Sequence, residues 1–170
     1  HIEDSFVGRL LASTQTDTLS IAELVANLVF LFVAGHETTT NLLGNGLLAL
    51  LRHPDQLARL RQEPGLMKMA VEELLRYDGP ANVNSRVAHE DMEVAGQKIA
   101  AGSLIFCMLG AANRDPEVFV NPDALDITRN PNSHVAFGGG PHYCLGAPLA
   151  RVEAQIALEQ ILQRWPTIEL

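Results

Sequence analysis

The residues with the clearest chemical potential lie on a glycine-rich stretch near the end of the chain. Cys144 follows the glycines at 138–140, and Phe137 lies seven positions before it. Glycine lets a backbone approach a flat ligand closely and adopt positive φ without steric cost. The amphipathic segment Ala147 to Arg164 follows at once, and the N-terminal end of a helix favours the thiolate form of a nearby cysteine. The stretch therefore indicates a thiolate ligand for a metal in a planar group, and the alternative is a buried structural cysteine.

The same residues argue against other kinds of site. The glycines lack the Gly-Lys-Ser/Thr ending of a phosphate loop and follow no clear strand of a βαβ unit, which makes a nucleotide site a poor explanation. The chain has one other cysteine, Cys107, so it contains neither a disulfide framework nor a CxxC motif. Cys107 lies in an apolar segment, and we interpret it as a core residue. A single ligand cysteine fits a reducing, intracellular compartment.

A second polar group interrupts an apolar segment at positions 34–40, which read Ala-Gly-His-Glu-Thr-Thr-Thr. Glycine and threonine are poor choices inside a helix. Gly35 would remove side-chain bulk where a ligand lies against the helix, and Thr38 could return a hydrogen bond to the Ala34 carbonyl and bend the helix. A kinked packing helix is the alternative. The zinc motif H-E-x-x-H is not present, because position 40 is threonine.

A third group consists of Glu73 and Arg76, which lie three residues apart and therefore on one helix face, where they can form an ion pair. Such a pair is usually a solvated surface pair, but the residues around it here are apolar. A buried pair must be hydrogen-bonded on all sides and needs partners from later loops. Arg129 is the candidate for such a partner.

These residues require elements to position them. Ser20 and Glu23 form an S-x-x-E capping box, which predicts a helix from Ile21 to about Leu51. Its apolar run at 24–34 is shorter than the ~20 residues of a membrane span, so we expect a buried core helix and no membrane span in this segment. Further helices are predicted over 5–11, 55–61 (with Pro54 in the first turn), 66–77 and 147–164. Short strands are predicted over 85–88, 92–94, 98–99 and 103–108, with turns at 95–96 and 101–102.

Length and composition fit one globular domain. The 170 residues are 47% hydrophobic and 19% charged, and the elements indicate a mainly α (α+β) fold with a small antiparallel sheet. A net charge of −8 and a pI of about 5.1 argue against a nucleic acid or an anionic membrane as partner. No signal peptide opens the chain, which begins with His1 and not Met, close to the helix predicted over 5–11, so we expect a fragment.

Taken in the order in which they occur along the chain, the three motifs resemble those of soluble, bacterial members of the cytochrome P450 family. They are Ala-Gly-x-Glu-Thr at 34–38, Glu-x-x-Arg at 73–76 and Phe-x-x-Gly-x-x-x-Cys-x-Gly at 137–146. The resemblance implies a P450-like helical fold with a small antiparallel sheet. Residues 1–170 would then be the C-terminal, haem-binding part of a single P450-type domain, without the N-terminal helices and the last hairpin.

The resemblance also implies roles for individual residues. Cys144 would be the axial ligand of haem iron, and Glu37 and Thr38 would supply protons during oxygen activation. Glu73, Arg76 and Arg129 would form a structural brace. Haem would be bound by Ala34, Gly35, Arg86, Phe137, Gly138, His142, Cys144 and Gly146, with Arg86 and His142 as donors to its propionates. The substrate pocket would be lined by Pro80, Ala81, Asn82 and Val83.

The implied function is that of a cytoplasmic haem-thiolate monooxygenase, which inserts one oxygen atom of O₂ into a small apolar organic substrate. The implied cofactor is haem b (iron protoporphyrin IX). Electrons would come ultimately from NAD(P)H through a ferredoxin-type or flavin redox partner. The alternative is a P450-like non-catalytic partner protein or an inactive fragment. The presence of Cys144, Glu37 and Thr38 argues against the non-catalytic partner protein, because a decayed member would have no need of them.

Overall fold

Helices predominate in the structure, a computed structural model that describes residues 5–14 and 19–170. The helices are α1 (Phe6–Thr14), α2 (Ile21–Arg52), α3 (Pro54–Gln62), α4 (Met67–Asp78), α5 (Leu109–Ala112) and α6 (Ala147–Arg164), with short 3₁₀ turns at Pro64–Leu66 and Gly140–His142. The strands are β1 (Asn84–Val87), β2 (Met92–Val94), β3 (Gln97–Ile99) and β4 (Leu104–Cys107). The predicted fold class is confirmed. The sequence analysis missed α5 and the 3₁₀ turns, because three or four residues carry no periodic pattern.

The chain divides into two compact units, His1–Glu37 and Thr38–Leu170, with the boundary inside α2. In the first unit the capping box forms as predicted. The Ser20 amide donates to Glu23 Oε2 at 2.8 Å and the Glu23 amide donates to Ser20 Oγ at 3.2 Å. The hydrogen bond from the Ser20 backbone lowers the pKa of Glu23 below its ordinary value. The side chain of Glu23 therefore fixes where α2 begins.

The expectation of a buried core helix at 24–34 is wrong for this chain. Of these residues only Leu24 is buried, and Phe30 and Phe32 are 68% and 75% exposed. An apolar run shows that a helix needs a covering surface, but the described part of the first unit holds only α1 and half of α2, too little to cover it. By length and composition α2 also meets the criteria for a membrane span, although a core helix meets the same criteria.

The core lies in the second unit, where α4 is its central element. Buried apolar residues recur at intervals of three or four positions along α4, and they are Met67, Ala70, Val71, Leu74 and Leu75. They pack with buried residues of α2, α3, α6 and the segment before the glycine loop, namely Leu42, Ala49, Leu50, Leu60, Leu125, Ile127, Ala154, Leu158 and Leu162. The packing fixes the face that α4 turns toward each of its neighbours.

Two separate two-stranded antiparallel sheets replace the single small sheet that the sequence suggested. β1 pairs with β4, with Arg86 opposite Ile105, and β2 pairs with β3. The turn predicted at 95–96 forms with φ of +48° at Ala95 and +78° at Gly96, the geometry of a tight hairpin. The interpretation of Cys107 as a core residue is wrong, because β4 is largely exposed and the Cys107 side chain reaches solvent.

Candidate functional site

The glycine-rich loop presents Cys144 on the surface, so the alternative of a buried structural cysteine does not hold. The loop is closed by a hydrogen bond of 3.0 Å from the Cys144 amide to the Phe137 carbonyl. Gly138 and Gly140 have φ of +72° and +63°, values that an L residue with a side chain rarely adopts. These glycines therefore let the backbone turn within a few residues and expose the thiol.

Helix α6 begins directly after the loop, with Gly146 as its N-terminal cap. The Ala147 amide donates to the Cys144 carbonyl at 3.2 Å, so the cysteine is attached to the first turn of the helix. The partial positive charge at a helix N-terminus favours an anionic ligand there. A Cβ added at Gly146 would lie 3.9 Å from Cys144 Sγ, an ordinary contact distance. Cys144 Sγ therefore lies next to the N-terminal end of α6.

Glu73 and Arg76 form a fully buried ion pair in α4. Arg76 donates from Nε to Glu73 Oε2 and from Nη2 to Glu73 Oε1, each at 2.8 Å. Arg129 adds a bond of 3.1 Å from its Nε to Glu73 Oε2. The structure therefore brings all three residues of the predicted brace into contact.

Further donors and acceptors complete this brace, and the sequence analysis missed them. Glu73 also accepts from the Asn132 side chain at 3.1 Å and from the Asp126 amide at 2.9 Å. Arg76 donates to three backbone carbonyls, those of Asn113, Pro122 and Ala124, at 2.9, 2.7 and 3.0 Å. A buried charge pair requires this degree of satisfaction. The brace fastens α4 to the irregular segment 113–132, which leads into the glycine loop.

A second ion pair, also missed, joins α4 to α6. Arg151 donates from Nε to Glu72 Oε1 at 2.7 Å and from Nη2 to Glu72 Oε2 at 3.0 Å. His134 Nε2 donates to Glu72 Oε2 at 2.9 Å. Burial raises the pKa of Glu72, but the hydrogen bonds from His134 and Arg151 outweigh it and lower that pKa to about 2. The bond from Glu72 likewise raises the pKa of Arg151.

The polar group at 34–40 lies within α2, which remains α-helical throughout. Ala34, Gly35 and Glu37 belong to the first unit and are exposed, and Thr38 opens the second unit. Apart from the backbone of α2 itself, no atom of the described residues lies within 4 Å of a Cβ added at Gly35, so the glycine leaves open space beside the helix. Thr39, which follows Thr38 directly, donates a hydrogen bond from its hydroxyl to Glu153 Oε2 of α6 at 3.2 Å.

The predicted propionate donors lie on different segments and are both exposed. Arg86 is on β1, where its Nη1 donates to the Ser85 carbonyl at 2.8 Å, and His142 ends the 3₁₀ turn of the glycine loop. The predicted pocket residues at 80–83 form the connection from α4 to β1. Asn82 and Val83 line a surface cavity of about 290 Å³ together with Tyr77, Asp78, Met108, Gly110, Ala111 and Arg114.

The donor set fits haem. Within residues 5–14 and 19–170, no three His, Cys, Asp or Glu side chains cluster as metal ligands would. Haem brings nitrogen ligands of its own, so one donor from the protein would be enough to hold its iron. The exposed Cys144 thiol on a glycine loop is such a donor.

Comparisons with known proteins agree with this chemistry. The cytochrome P450 family model matches residues 2–167. The biotin biosynthesis cytochrome P450 of Bacillus subtilis (strain 168) is 48% identical over 170 residues, which cover all of this chain and 43% of that protein.

Solved structures give the same result. A myxobacterial cytochrome P450, CYP267B1, in complex with myristic acid has a TM-score of 0.94 and 50% identity over 98% of this chain and 42% of that one. P450BioI in complex with an acyl carrier protein ligated to hexadec-9Z-enoic acid has a TM-score of 0.88 and 51% identity over 91% of this chain and 40% of that one. The chain thus spans about two fifths of the length of these relatives. On the match of the family model and of these sequences, the chain belongs to the cytochrome P450 family.

Proposed function

We propose that this chain carries the haem-thiolate centre of a cytochrome P450 monooxygenase, in which the Cys144 thiolate would bind the haem iron. The observation that carries the proposal is the exposed Cys144 thiol on a loop closed by the bond from its own amide to the Phe137 carbonyl. Bound haem supplies the capacity to activate O₂ with electrons and to insert one oxygen atom into a substrate. The chain itself supplies the ligand, the anchors and the proton-transfer groups.

The anchors are Arg86 and His142. A guanidinium and an imidazole are suitable hydrogen-bond donors to two carboxylates. Both side chains are exposed, and Arg86 uses only Nη1 in its bond to the Ser85 carbonyl, so further N–H groups remain for a propionate. Phe137, Gly138 and Gly146 would shape the ligand side of the haem site, and Ala34 and Gly35 would offer a smooth helix surface.

Glu37 and Thr38 are the proposed proton-transfer groups. They are adjacent on α2, and a carboxyl and a hydroxyl can each accept and release a proton. Glu73, Arg76 and Arg129 would act as a brace that holds the segment leading to the ligand loop. None of the three is assigned a part in the reaction.

We propose a small apolar organic substrate, bound near the connection at 80–83. Two observations support this class: Val83 is an exposed apolar side chain there, and one relative was crystallised with myristic acid. Electrons would come from NAD(P)H through a ferredoxin-type or flavin partner, and the enzyme would act in the cytoplasm.

The absorption spectrum of the haem-loaded chain, reduced and exposed to carbon monoxide, tests the proposal. We expect the wild-type chain to show a strongly red-shifted Soret band, Cys144→Ser to lose it and Cys107→Ser to keep it. Cys107 is the matched control, because it is the second exposed free thiol among the described residues. Failure of the wild-type chain to take up haem, or persistence of the band in Cys144→Ser, would overturn the proposal.

A further inference from the structure

One guanidinium contacts both ends of the loop that carries Cys144. The Cζ atom of Arg151 lies 4.5 Å from the centroid of the Phe137 ring, at the start of the loop. Arg151 Nη1 donates to the Tyr143 hydroxyl at 3.2 Å, at the residue directly before Cys144. The centroids of the Phe137 and Tyr143 rings are 6.3 Å apart. Arg151 thus spans the loop from outside, while the bond from the Cys144 amide to the Phe137 carbonyl closes it from inside.

Glu72 fixes the orientation of Arg151. The two-point contact of its carboxylate with Nε and Nη2 leaves Nη1 and the guanidinium plane for the loop. His134 holds the carboxylate from the other side. The Ala136 amide donates to His134 Nδ1 at 3.2 Å, so Nδ1 is the acceptor and Nε2 carries the hydrogen that bonds Glu72. Since Glu72 is on α4, which carries many of the buried core residues, the chain of contacts connects the loop to the core.

The loop requires such support because of its composition. Three consecutive glycines have the largest backbone freedom to lose when a segment is ordered. Apart from the 3₁₀ turn at Gly140–His142, the loop has no regular structure that would hold it. A planar guanidinium can stack on a ring and donate in fixed directions at the same time, which a lysine ammonium cannot do.

We propose that Arg151, oriented by Glu72, is a positioning residue that holds the Cys144 backbone in place for the metal ligand role. The ligand role itself rests on the function proposed above. Neither residue is assigned contact with the cofactor or the substrate. The geometry predicts that loss of the clamp loosens the Cys144 loop more than the rest of the second unit.

Amide hydrogen exchange of the chain without cofactor tests the clamp independently of haem. We expect Arg151→Lys and Glu72→Gln to accelerate exchange of the Cys144 amide about tenfold more than they accelerate exchange of the Ala154 and Leu158 amides. The latter two amides report unfolding of the core. Tyr143→Phe removes one hydroxyl from a half-exposed ring and leaves the fold intact, and it should accelerate Cys144 exchange in the same direction. The exposed pair of Arg59 and Glu63 gives the matched controls Arg59→Lys and Glu63→Gln, which should change nothing at Cys144.

A merely structural role would accelerate exchange by the same factor at Cys144, Ala154 and Leu158, and that result would overturn the proposal. The carbon monoxide spectrum of the haem-loaded variants provides a second readout, in which Arg151→Lys should lose part of the red-shifted band that Arg59→Lys retains. If the wild-type chain itself lacks that band, the proposed function fails, while the exchange result still decides on the clamp.

Discussion

Glu72 and Glu73 are consecutive in α4 and bind different partners. Glu73 is completely buried and accepts from two arginines, one amide side chain and one backbone amide. Glu72 is 27% exposed and bonds Arg151 and His134. The side chains leave the helix about 100° apart. The two carboxylates therefore hold different segments: Glu73 binds the segment 113–132, and Glu72 binds α6 and His134.

Glu73→Gln should destabilise the second unit by about 3–5 kcal/mol, because it leaves Arg76 and part of Arg129 buried without a counter-charge. Urea unfolding followed by circular dichroism measures the change. Glu63→Gln is the control, since Glu63 bonds Arg59 on the exposed face of α3 and should shift the free energy of unfolding by less than about 0.5 kcal/mol. Equal losses in the two variants would contradict the assignment of Glu73 as a buried centre of charge.

Glu72 should make stability depend on pH in the acid range. Its pKa in the folded chain, about 2, lies below the ordinary value of 4.5, so its contribution is complete above pH 4.5 and is lost as the pH falls toward 2. The contribution at neutral pH is about 1–2 kcal/mol after allowance for solvent screening. The difference in unfolding free energy between wild type and Glu72→Gln, measured from pH 7 to pH 2, should therefore shrink below pH 4.5. A difference that stays constant over this range would refute the pKa assignment.

The helices were predictable from sequence because their signals are local. The capping box of Ser20 and Glu23, Pro54 at the start of α3 and the apolar spacing within α4 place most helix ends within one to three residues. The pair of Glu73 and Arg76 also follows from spacing on one helix. The pair of Glu72 and Arg151 does not, because its partners lie 79 residues apart and meet only when α4 packs on α6.

Two glycines of α2 should respond oppositely to alanine. Outside the backbone of α2, no atom in the part of the chain that the structure describes lies within 4 Å of a Cβ added at Gly44, so Gly44→Ala should stabilise the helix by about 0.5–1 kcal/mol. A Cβ added at Gly46 would lie 3.0 Å from Leu74 Cδ1, where α2 packs against α4. Gly46→Ala should therefore destabilise by about 1–2 kcal/mol.

Thermal denaturation of Gly44→Ala, Gly46→Ala and wild type measures both effects in one helix. Stabilisation by both substitutions would show that α2 and α4 can separate at this point without cost.

The two units of the chain differ in how much apolar surface they bury. Within residues 21–37 only Leu24 is buried, whereas the part of α2 in the second unit contributes Leu42, Ala49 and Leu50 to the core. Sequence could predict that α2 is continuous but not that its two halves differ in burial, because the exposed first half is the more apolar of the two. Burial depends on which other elements the chain provides around each half.

Hydrogen exchange along α2 should therefore change at the boundary between Glu37 and Thr38. Amides at 42–50 should exchange only on unfolding of the core, and amides at 25–33 should exchange faster by about two orders of magnitude through local opening. Mass spectrometry of peptides from the two halves measures the difference in the chain without cofactor. Equal protection in both halves would mean that exposure does not limit the stability of the first half.

The position of the two carboxylates in α4 has a consequence for changes in chain length. One residue inserted before Glu72 would rotate that part of the helix by about 100° and point each carboxylate away from its own partners. An insertion at the exposed turn of Ala95 and Gly96 would alter only the short hairpin of β2 and β3. In a library of single insertions, variants with an insertion in α4 should therefore fail to fold, whereas variants with an insertion in the hairpin should fold.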